Sequence, residues 1–262
     1  MLYNLGVSSK VPYLSVVIPA YDEMANLQKG VLEKVESFLS SQGYAYEVII
    51  VDDGSKDGTR EFLEKFVKVH QHFQLIKNQH LGKAGTVTTG MLKATGEYVL
   101  FADMDQATPI EEVANLLPYF SKGYEVVIGS RSRDRKGAPF TRLLMARGMM
   151  TLRSAIVGLG GITDTQCGFK IFTNAASQTI FSKLSKLHGG FHTVSGSSVT
   201  AGFDVELLFI AQKSGYKIKE VPVRWLYVET RRVSPIKDSL DAVSQLFAIK
   251  RNDLSGKYSS ES

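Results

Sequence analysis

The residues YVLFADMD (98–105) form an apolar, strand-forming run that ends in two aspartates separated by one residue. Two similar runs precede it, LSVVIPAYDE at 14–23 and EVIIVDDGS at 47–55, and each also carries acidic residues at its end. Apolar runs without alternation are typical of strands that are covered on both faces of a parallel sheet. Because ligands of open α/β sheets bind at the carboxyl ends of the strands, we expect these acidic residues to share one site.

The segments between these runs predict helices. Apolar residues recur at helical spacing over 26–41, 62–69 and 85–94, and short strands are predicted at 73–77 and 125–129. Strands that alternate with helices favour an α/β fold. We therefore expect a Rossmann-like, mostly parallel central sheet that is flanked by helices.

The composition is that of a globular domain, because 44% of the 262 residues are apolar and 22% are charged. It excludes a disordered tail, a collagen-like repeat and a coiled coil. With Cys167 as the one cysteine, a disulfide within the chain, a zinc ribbon and an iron–sulfur cluster are also excluded. We find neither a signal-peptide pattern nor an apolar run near the roughly 18 residues of a membrane span. No linker or repeat divides the sequence, and residues 1–262 are expected to form a single domain.

Positive charge is concentrated in one segment of a chain whose net charge is +5. Between 131 and 153 a single anion, Asp134, stands against seven cations: Arg131, Arg133, Arg135, Lys136, Arg142, Arg147 and Arg153. Interleaved leucines and methionines make this pattern suitable for a membrane surface, with a solvated helix on the sheet as the alternative. We predict a basic amphipathic, membrane-facing segment at about 131–160 and a C-terminal helix at about 234–251. Nucleic acid is disfavoured as a partner, because the acidic strand ends repel a phosphate backbone.

Three sets of residues are candidates for chemistry. Asp103 and Asp105 can turn toward one hard cation and its phosphates, although aspartates also end strands because they favour turns. After the second strand, Asp53 can bind a base or ribose and Gly54 allows close approach of a ligand, or the two form an ordinary capping turn. Lys83 can meet a phosphate or remain a solvated lysine. The glycine-rich motifs GxGxxG and GxxxxGK[ST] are both missing from the sequence, which disfavours dinucleotide-binding and P-loop sites.

With these residues in place, the sequence resembles glycosyltransferase family 2, which has the GT-A fold. The resemblance covers nearly the whole chain, from about Leu14 to Tyr258. In the first half it is carried by VVIPAYDE (16–23), VIIVDDGSKDGT (48–59), GKAGTV (82–87) and FADMD (101–105). In the second half it is carried by IGSR (128–131), DTQCGFKIF (164–172), FDVELLFIAQ (203–212) and VSPIKDSL (233–240). The second set is similar to the motifs of dolichyl-phosphate β-glucosyltransferases, with the mannosyl enzymes as cousins.

The resemblance implies a set of site residues. Those expected to bind the nucleotide sugar are Pro19, Ala20, Tyr21, Asp22, Glu23, Asp53, Gly54, Lys83, Asp103, Met104, Asp105 and Gln166. Of these, Asp103 and Asp105 would hold Mg²⁺ or Mn²⁺. Those expected to bind the acceptor phosphate are Arg131, Arg231 and Arg232. The expected catalytic residues are Asp105, Arg131, Asp204 and Glu206, with Asp204 or Glu206 contacting a sugar hydroxyl.

The resemblance also implies a reaction. It is the metal-dependent, inverting transfer of glucose from UDP-glucose to a polyprenyl phosphate of the dolichyl type, by a peripheral protein at the cytoplasmic face of the membrane. Ala107 and Thr108 after the acidic pair are closer to the glucosyl members of the family. One alternative is the same fold with GDP-mannose or UDP-N-acetylglucosamine as donor, or with a soluble acceptor. A second alternative is a non-catalytic, nucleotide-binding membrane adaptor.

Overall fold

The computed structural model of the chain describes residues 11–131, 140–193, 202–226 and 235–259. For residues 140–147, 149 and 235–241 it describes the backbone alone.

Strands and helices alternate along most of the chain. The strands are Leu14–Ala20 (β1), Tyr46–Asp52 (β2), Phe73–Lys77 (β3), Tyr98–Ala102 (β4), Val126–Arg131 (β5), Phe169–Thr173 (β6) and Ile218–Val223 (β7). The helices are Met24–Leu27 (α1), Val31–Ser40 (α2), Thr59–Val69 (α3), Gly82–Lys93 (α4), Val113–Leu116 (α5), Phe140–Val157 (α6), Asn174–Leu187 (α7), Phe203–Lys213 (α8) and Pro235–Leu254 (α9). Two 3₁₀ turns, Ile110–Glu112 and Leu117–Lys122, flank α5.

The strands form one sheet in the order β3-β2-β1-β4-β6-β5-β7. Within the described chain β6 alone runs antiparallel to its neighbours, which confirms the mostly parallel sheet that was predicted. The first residue of β6, Phe169, lies beside Ala102 at the end of β4. The loop before β6 therefore reaches the same edge of the sheet as the carboxyl ends of the parallel strands.

Two more strands end at this edge. Arg131 at the end of β5 lies beside Val223 at the end of β7. The residues that follow β4 and β7, and those that precede β6, are thus brought together although more than 50 residues separate them in sequence. This topology, and not local sequence, assembles the site described below.

Both faces of the sheet are buried. Val17 belongs to an apolar cluster with residues of α4, α7 and α8, whereas Val16 and Ile18 belong to a cluster with residues of α2 and α3 on the opposite face. Helix α4 approaches β1 so closely that a Cβ atom on Gly90 would lie 2.3 Å from Cγ1 of Val17. Burial on both faces explains why these strands read as continuous apolar runs.

The outer segments partly follow the predictions. The C-terminal helix, expected at 234–251, is observed as α9, and the basic segment contains α6. Arg153 of that segment is not on a surface, so the prediction is wrong for this residue: it is buried and donates to Oγ1 of Thr165 at 2.9 Å and to the carbonyl of Ile162. In the part of the chain that the structure describes, no helix combines the length and apolarity that a membrane crossing requires.

Candidate active site

A cavity of about 190 Å³ opens at the carboxyl end of β4. It is lined by Asp103, Asp105, Ala107, Thr108, Arg131, Gln166, Cys167, Gly168 and Trp225. These residues come from the loops after β4 and β7, from the end of β5 and from the loop before β6. The cavity therefore brings together the two candidate metal ligands and the candidate acceptor-binding arginine. The sequence motifs predicted each of these roles but not that the residues share one cavity.

Asp103 is held between a cation and a glycine. Its Oδ1 lies 2.7 Å from Nζ of Lys83, which is at the start of α4. A Cβ atom on Gly168 would lie 1.8 Å from Oδ2 of Asp103, so only glycine leaves room for this carboxylate. The backbone N–H of Asp103 also donates to the carbonyl of Gly168 at 3.1 Å. The loop that carries Asp103 and Asp105 and the loop before β6 thus fix each other's positions.

Burial and neighbouring charges shift the pKa values of Lys83 and Asp105. Burial lowers the pKa of Lys83, but the carboxylates of Asp103, Asp204 and Asp105 outweigh it and raise the pKa above its ordinary value. Burial and the carboxylate of Asp103 raise the pKa of Asp105, although the N–H of Ala107 and the charge of Lys83 oppose that rise. Lys83 therefore stays a cation at neutral pH, and additional positive charge would stabilise the ionised form of Asp105.

The pair of aspartates fits a divalent cation that a phosphate ligand completes. The described residues contain no group of three or more His, Cys, Asp or Glu side chains that would enclose a metal. Mg²⁺ in nucleotide enzymes is bound in this way, by one or two carboxylates plus substrate phosphates. The pKa of Asp105, which is raised first by burial and then by the carboxylate of Asp103, supports the fit, because a cation would stabilise its ionised form. Asp103 and Asp105 are thus suitable ligands for Mg²⁺ or Mn²⁺ that arrives with a diphosphate.

Arg131 is oriented by Asp164. Its Nε and Nη2 donate to the two carboxylate oxygens of Asp164 at 2.7 and 2.8 Å, and its backbone N–H donates to the same group at 3.0 Å. These hydrogen bonds raise the pKa of Arg131, and they lower the pKa of Asp164 despite its burial. Glu220 of β7 in turn accepts from the N–H of Asp164 at 2.7 Å. The guanidinium is therefore held rigidly at the wall of the cavity.

Asp204 lies in the first turn of α8, where Lys170 binds it. The Lys170 side chain is completely buried, and its Nζ donates to Oδ1 of Asp204 at 2.5 Å and to the carbonyl of Cys167 at 2.6 Å. Nζ also lies 5.1 Å from the centre of the Phe101 ring. The negative charge of Asp204 also helps to raise the pKa values of Lys83 and Arg131, although Asp204 does not line the cavity.

Glu206 has other partners. Its Oε2 lies 2.7 Å from Nε2 of His188, and its Oε1 accepts from the hydroxyl of Tyr258 at 2.6 Å. The side chain is buried and does not line the cavity. Neither of the two carboxylates proposed for the sugar lines the cavity. Asp204 is paired with Lys170 of β6, whereas Glu206 contacts His188, which follows α7, and Tyr258.

The predicted nucleotide-binding residues after β1 and β2 form two loops that are joined by hydrogen bonds. The backbone N–H of Asp22 donates to Oγ of Ser55 at 3.0 Å, and Oδ1 of Asp22 accepts from the N–H of Lys56 at 2.8 Å. Glu23 is held similarly, since its N–H donates to Oγ1 of Thr59 at 2.8 Å. Asp22 has a φ of 53°, a left-handed conformation that aspartate tolerates in turns.

Asp53 orients the loop that leads into α4. Its carboxylate is buried and accepts from the N–H groups of Leu81 at 2.7 Å and Gly82 at 2.8 Å. Nδ1 of His80 lies 3.0 Å from Oδ2 of Asp53, and the His80 ring stacks on Tyr21 with 4.3 Å between ring centres. These contacts make Asp53 a support for the start of α4, which carries Lys83.

The other predicted residues differ in their placement. Pro19 and Ala20 end β1, and Gly54 has a φ of 86°, which requires glycine at this turn. Gln166 is exposed and lines the cavity, whereas the Met104 side chain is 2% exposed and lies in the apolar core. Arg231 and Arg232 lie outside the described residues.

Sequence reasoning did not single out four residues that shape the site, namely His80, Asp164, Lys170 and Trp225. Asp164 and Lys170 belong to DTQCGFKIF, which carried the resemblance, so the motif was recognised but the roles within it were not. Trp225 is the one tryptophan of the chain, and no local pattern marks it. These roles depend on contacts between segments that are distant in sequence.

Comparison with known proteins gives a family and a set of relatives. The profile described as "Glycosyl transferase family 2" matches residues 15–181. Dolichyl-phosphate beta-glucosyltransferase of Saccharomyces cerevisiae is 33% identical over 94% of this chain and 76% of that protein. The human protein of the same name is 32% identical over 95% of this chain and 78% of that protein.

Among the solved structures with a similar fold, two are each 16% identical to this chain. Mannosyl-3-phosphoglycerate synthase of Rubrobacter xylanophilus has a TM-score of 0.64, covering 94% of this chain and 75% of that one. A mannosyltransferase of Pyrobaculum calidifontis, solved with GDP-Man and Mn²⁺, has a TM-score of 0.51, covering 97% and 77%. At this identity the likeness concerns the fold.

Proposed function

The chain belongs to glycosyl transferase family 2, and from that premise we propose that it transfers glucose from UDP-glucose to a polyprenyl phosphate of the dolichyl type. The family match and the mostly parallel sheet confirm the predicted GT-A glycosyltransferase. The relatives named as dolichyl-phosphate beta-glucosyltransferases support glucose as the sugar and dolichyl phosphate as the acceptor class.

One observation supports the chemistry above all others. Asp103 and Asp105, with Lys83 beside them, line the same small cavity as Arg131. The first set suits the diphosphate of a nucleotide sugar, because carboxylates hold its metal ion and the ammonium binds phosphate directly. Arg131 suits a second phosphate, since its planar guanidinium matches phosphate geometry. Two anionic reactants can therefore meet in one cavity without prohibitive repulsion.

In this proposal Asp103 and Asp105 hold Mg²⁺ or Mn²⁺, which supplies neutralising charge to the leaving diphosphate when it is bound. The loops after β1 and β2, tied together by Asp22 and Glu23, bind the nucleoside. Lys83 contacts a diphosphate oxygen from the start of α4, where backbone N–H groups also favour anions. Asp53 keeps this helix start in place through the N–H groups of Leu81 and Gly82.

The transfer itself is a displacement at the anomeric carbon. An oxygen of the acceptor phosphate forms the new bond, the bond to the diphosphate breaks, and UDP leaves with the electron pair. Attack from the opposite face converts an α-linked sugar into a β-linked one. A phosphate monoester is largely anionic at neutral pH, with a second pKa of about 6, so no strong general base is required. In this proposal Arg131 orients this nucleophile, and Asp204, whose Oδ1 is bound by Lys170, is assigned to a sugar hydroxyl.

The proposed location is the cytoplasmic face of a membrane, as a peripheral protein. A polyprenyl acceptor resides in a bilayer, and the basic segment at 131–160 suits an anionic surface. Of its cations, Arg131 and Arg153 are engaged within the protein, by Asp164 and by Thr165. Binding to the surface is therefore assigned to the remaining cations of the segment, whose side chains lie outside the described residues.

A radiolabel transfer assay tests the proposal. Purified protein receives UDP-glucose, UDP-galactose, UDP-N-acetylglucosamine or GDP-mannose, each with polyprenyl phosphate and Mg²⁺ or Mn²⁺. We expect label in the organic phase with UDP-glucose, and its loss in Asp105→Ala. Label transferred from another donor would show that the protein uses a different sugar. Metal-dependent hydrolysis of a nucleotide sugar without a lipid product would show that polyprenyl phosphate is not the acceptor.

The transfer assay, together with liposome-binding and nucleotide-binding measurements, addresses the remaining alternatives. Full activity toward a soluble acceptor, with no binding to liposomes, would favour a soluble substrate. Nucleotide binding that is indifferent to a chelator, without turnover of any donor, would favour the adaptor. The family match and the intact Asp103–Asp105 pair both favour the enzyme.

A further inference from the structure

Trp225 and Leu226 are consecutive exposed apolar residues, and Trp225 lines the cavity. Their side chains follow β7 and are 42% and 58% exposed. The other large apolar residues exposed in the described chain are Val11, Val69, Phe247 and Leu254. None of those four lines the cavity, and exposed apolar side chains are by themselves normal in soluble proteins. Trp225 differs because it lines the cavity that contains the acidic pair.

This pair is held in place by its neighbours. The backbone N–H of Leu226 donates to the carbonyl of Ala107 at 2.7 Å. This hydrogen bond joins Leu226 to the loop that follows Asp103 and Asp105. The guanidinium carbon of Arg131 lies 5.9 Å from the centre of the Trp225 ring. Arg131 is in turn fixed by two hydrogen bonds to Asp164. A cation suited to phosphate and an apolar ring therefore stand side by side at a defined separation.

An acceptor with a phosphate and a hydrocarbon chain matches this arrangement, which extends the function proposed above. Its phosphate would lie at Arg131, and the first part of its chain would then pass the indole. We propose that Trp225, with Leu226, contacts the hydrocarbon chain of the acceptor lipid where it leaves the cavity. The contact removes apolar surface of both partners from water, and it favours lipid phosphates over free phosphate or sugar phosphates.

Because Trp225 is the one tryptophan of the chain, its fluorescence tests the proposal without a label. The wild-type protein is titrated with farnesyl phosphate, with inorganic phosphate and with UDP. We expect a saturable blue shift with farnesyl phosphate and none with the other two probes. An equal shift with inorganic phosphate would overturn the proposal, as would a shift that depends on protein concentration alone, which would assign the pair to contact with a second copy.

Matched variants separate this contact from general apolarity. Leu226→Ala is expected to weaken farnesyl phosphate binding about fivefold to tenfold, the effect of losing a few buried methylene contacts. Leu254→Ala removes the same side chain from an exposed position on α9 and is expected to change nothing. Equal effects of the two variants, or no effect of either, would overturn the proposal.

Transfer kinetics distinguish this inference from the reaction on which it rests. Trp225→Ala is expected to raise KM for polyprenyl phosphate about tenfold without changing KM for the donor, and Trp225→Phe is expected to restore most of the loss. Lipid product with an unchanged KM in Trp225→Ala would refute the contact and keep the enzyme. A farnesyl phosphate blue shift in a protein that forms no lipid product with any donor would refute the enzyme and keep the contact.

Discussion

The ammonium group of Lys170 lies 2.5 Å from Oδ1 of Asp204, and the lysine side chain is completely buried. Lys170 is on β6, whereas Asp204 opens α8, so the ion pair joins the sheet to a helix across 34 residues of sequence. The same ammonium binds the carbonyl of Cys167, next to the glycine that supports Asp103. One buried cation thus holds both Asp204 and the loop before β6, against which the Asp103 carboxylate packs.

Lys170→Met is expected to destabilise the fold by about 3–5 kcal/mol, because it leaves a largely buried carboxylate without its partner. Equilibrium unfolding in urea measures this loss. Lys170→Met combined with Asp204→Leu removes both charges and is expected to recover part of the stability. A double variant no more stable than Lys170→Met alone would contradict the role of the pair.

Arg131→Ala is expected to lower transfer to polyprenyl phosphate by about 100-fold or more, the usual effect of removing a positioned group that binds developing or reacting charge. UDP affinity is expected to change less than about threefold. Initial rates and calorimetric titration with UDP measure the two effects. Arg224→Ala is the control, since Arg224 pairs with Glu112 and does not line the cavity. Equal losses of transfer and UDP binding in Arg131→Ala would assign the residue to the donor site.

Gly168→Ala is expected to displace the Asp103 carboxylate, because the new Cβ would lie 1.8 Å from Oδ2. Metal-dependent UDP binding is expected to weaken at least tenfold while the fold is retained, since the obstructed atom ends a side chain and can move. Gly148→Ala on α6 is the matched control, as a Cβ there meets nothing within 4 Å. Unchanged UDP affinity in Gly168→Ala would show that the observed carboxylate position is not needed.

Removal of divalent cations is expected to abolish transfer and to weaken UDP binding strongly, because two carboxylates and a diphosphate would otherwise repel each other. Isothermal titration with UDP, with and without a chelator, measures this effect. Adding back Mg²⁺ or Mn²⁺ is expected to restore both. Asp105→Asn is expected to reduce the metal effect, and full activity in the chelator would exclude the metal-dependent mechanism.

The His188–Glu206 pair is expected to make stability depend on pH. The hydrogen bond to Glu206 raises the pKa of His188 above its ordinary value near 6.5. Its stabilising contribution is therefore complete below about pH 6.5 and disappears as the pH rises through the higher folded-state pKa. The contribution is expected to be below about 1 kcal/mol, because the imidazole is partly exposed.

Melting temperatures between pH 5 and 9 measure this dependence. The difference between wild type and His188→Gln is expected to be largest at the acidic end and to shrink on the alkaline side. His192→Gln, at an exposed histidine nearby, is the control. A difference that grew with pH would contradict the sign derived from the contact between His188 and Glu206.

The alternation of apolar runs and amphipathic helices was enough to predict a mostly parallel sheet. It also placed Asp103 and Asp105 at a strand end, because the two periodicities are local and the strands were buried on both faces. The motifs around these residues were enough to predict the family. The same local patterns wrongly predicted that Arg153 lies on a surface, since a basic stretch does not show which of its cations is buried against a loop.

The sequence by itself determined the sheet, the edge at which the acidic residues lie, and the acidic character of that edge. Strand periodicity and strand-end carboxylates are properties of short segments. Tertiary structure alone decided the partners: Lys83 on Asp103, Asp164 on Arg131, and Lys170 on Asp204. It also decided that the two carboxylate oxygens of Glu206 contact His188 and Tyr258. Charged groups pair when they lie close in space. For Asp164 and Lys170 the antiparallel strand β6 sets this distance, because it brings the loop before it to the edge where the parallel strands end.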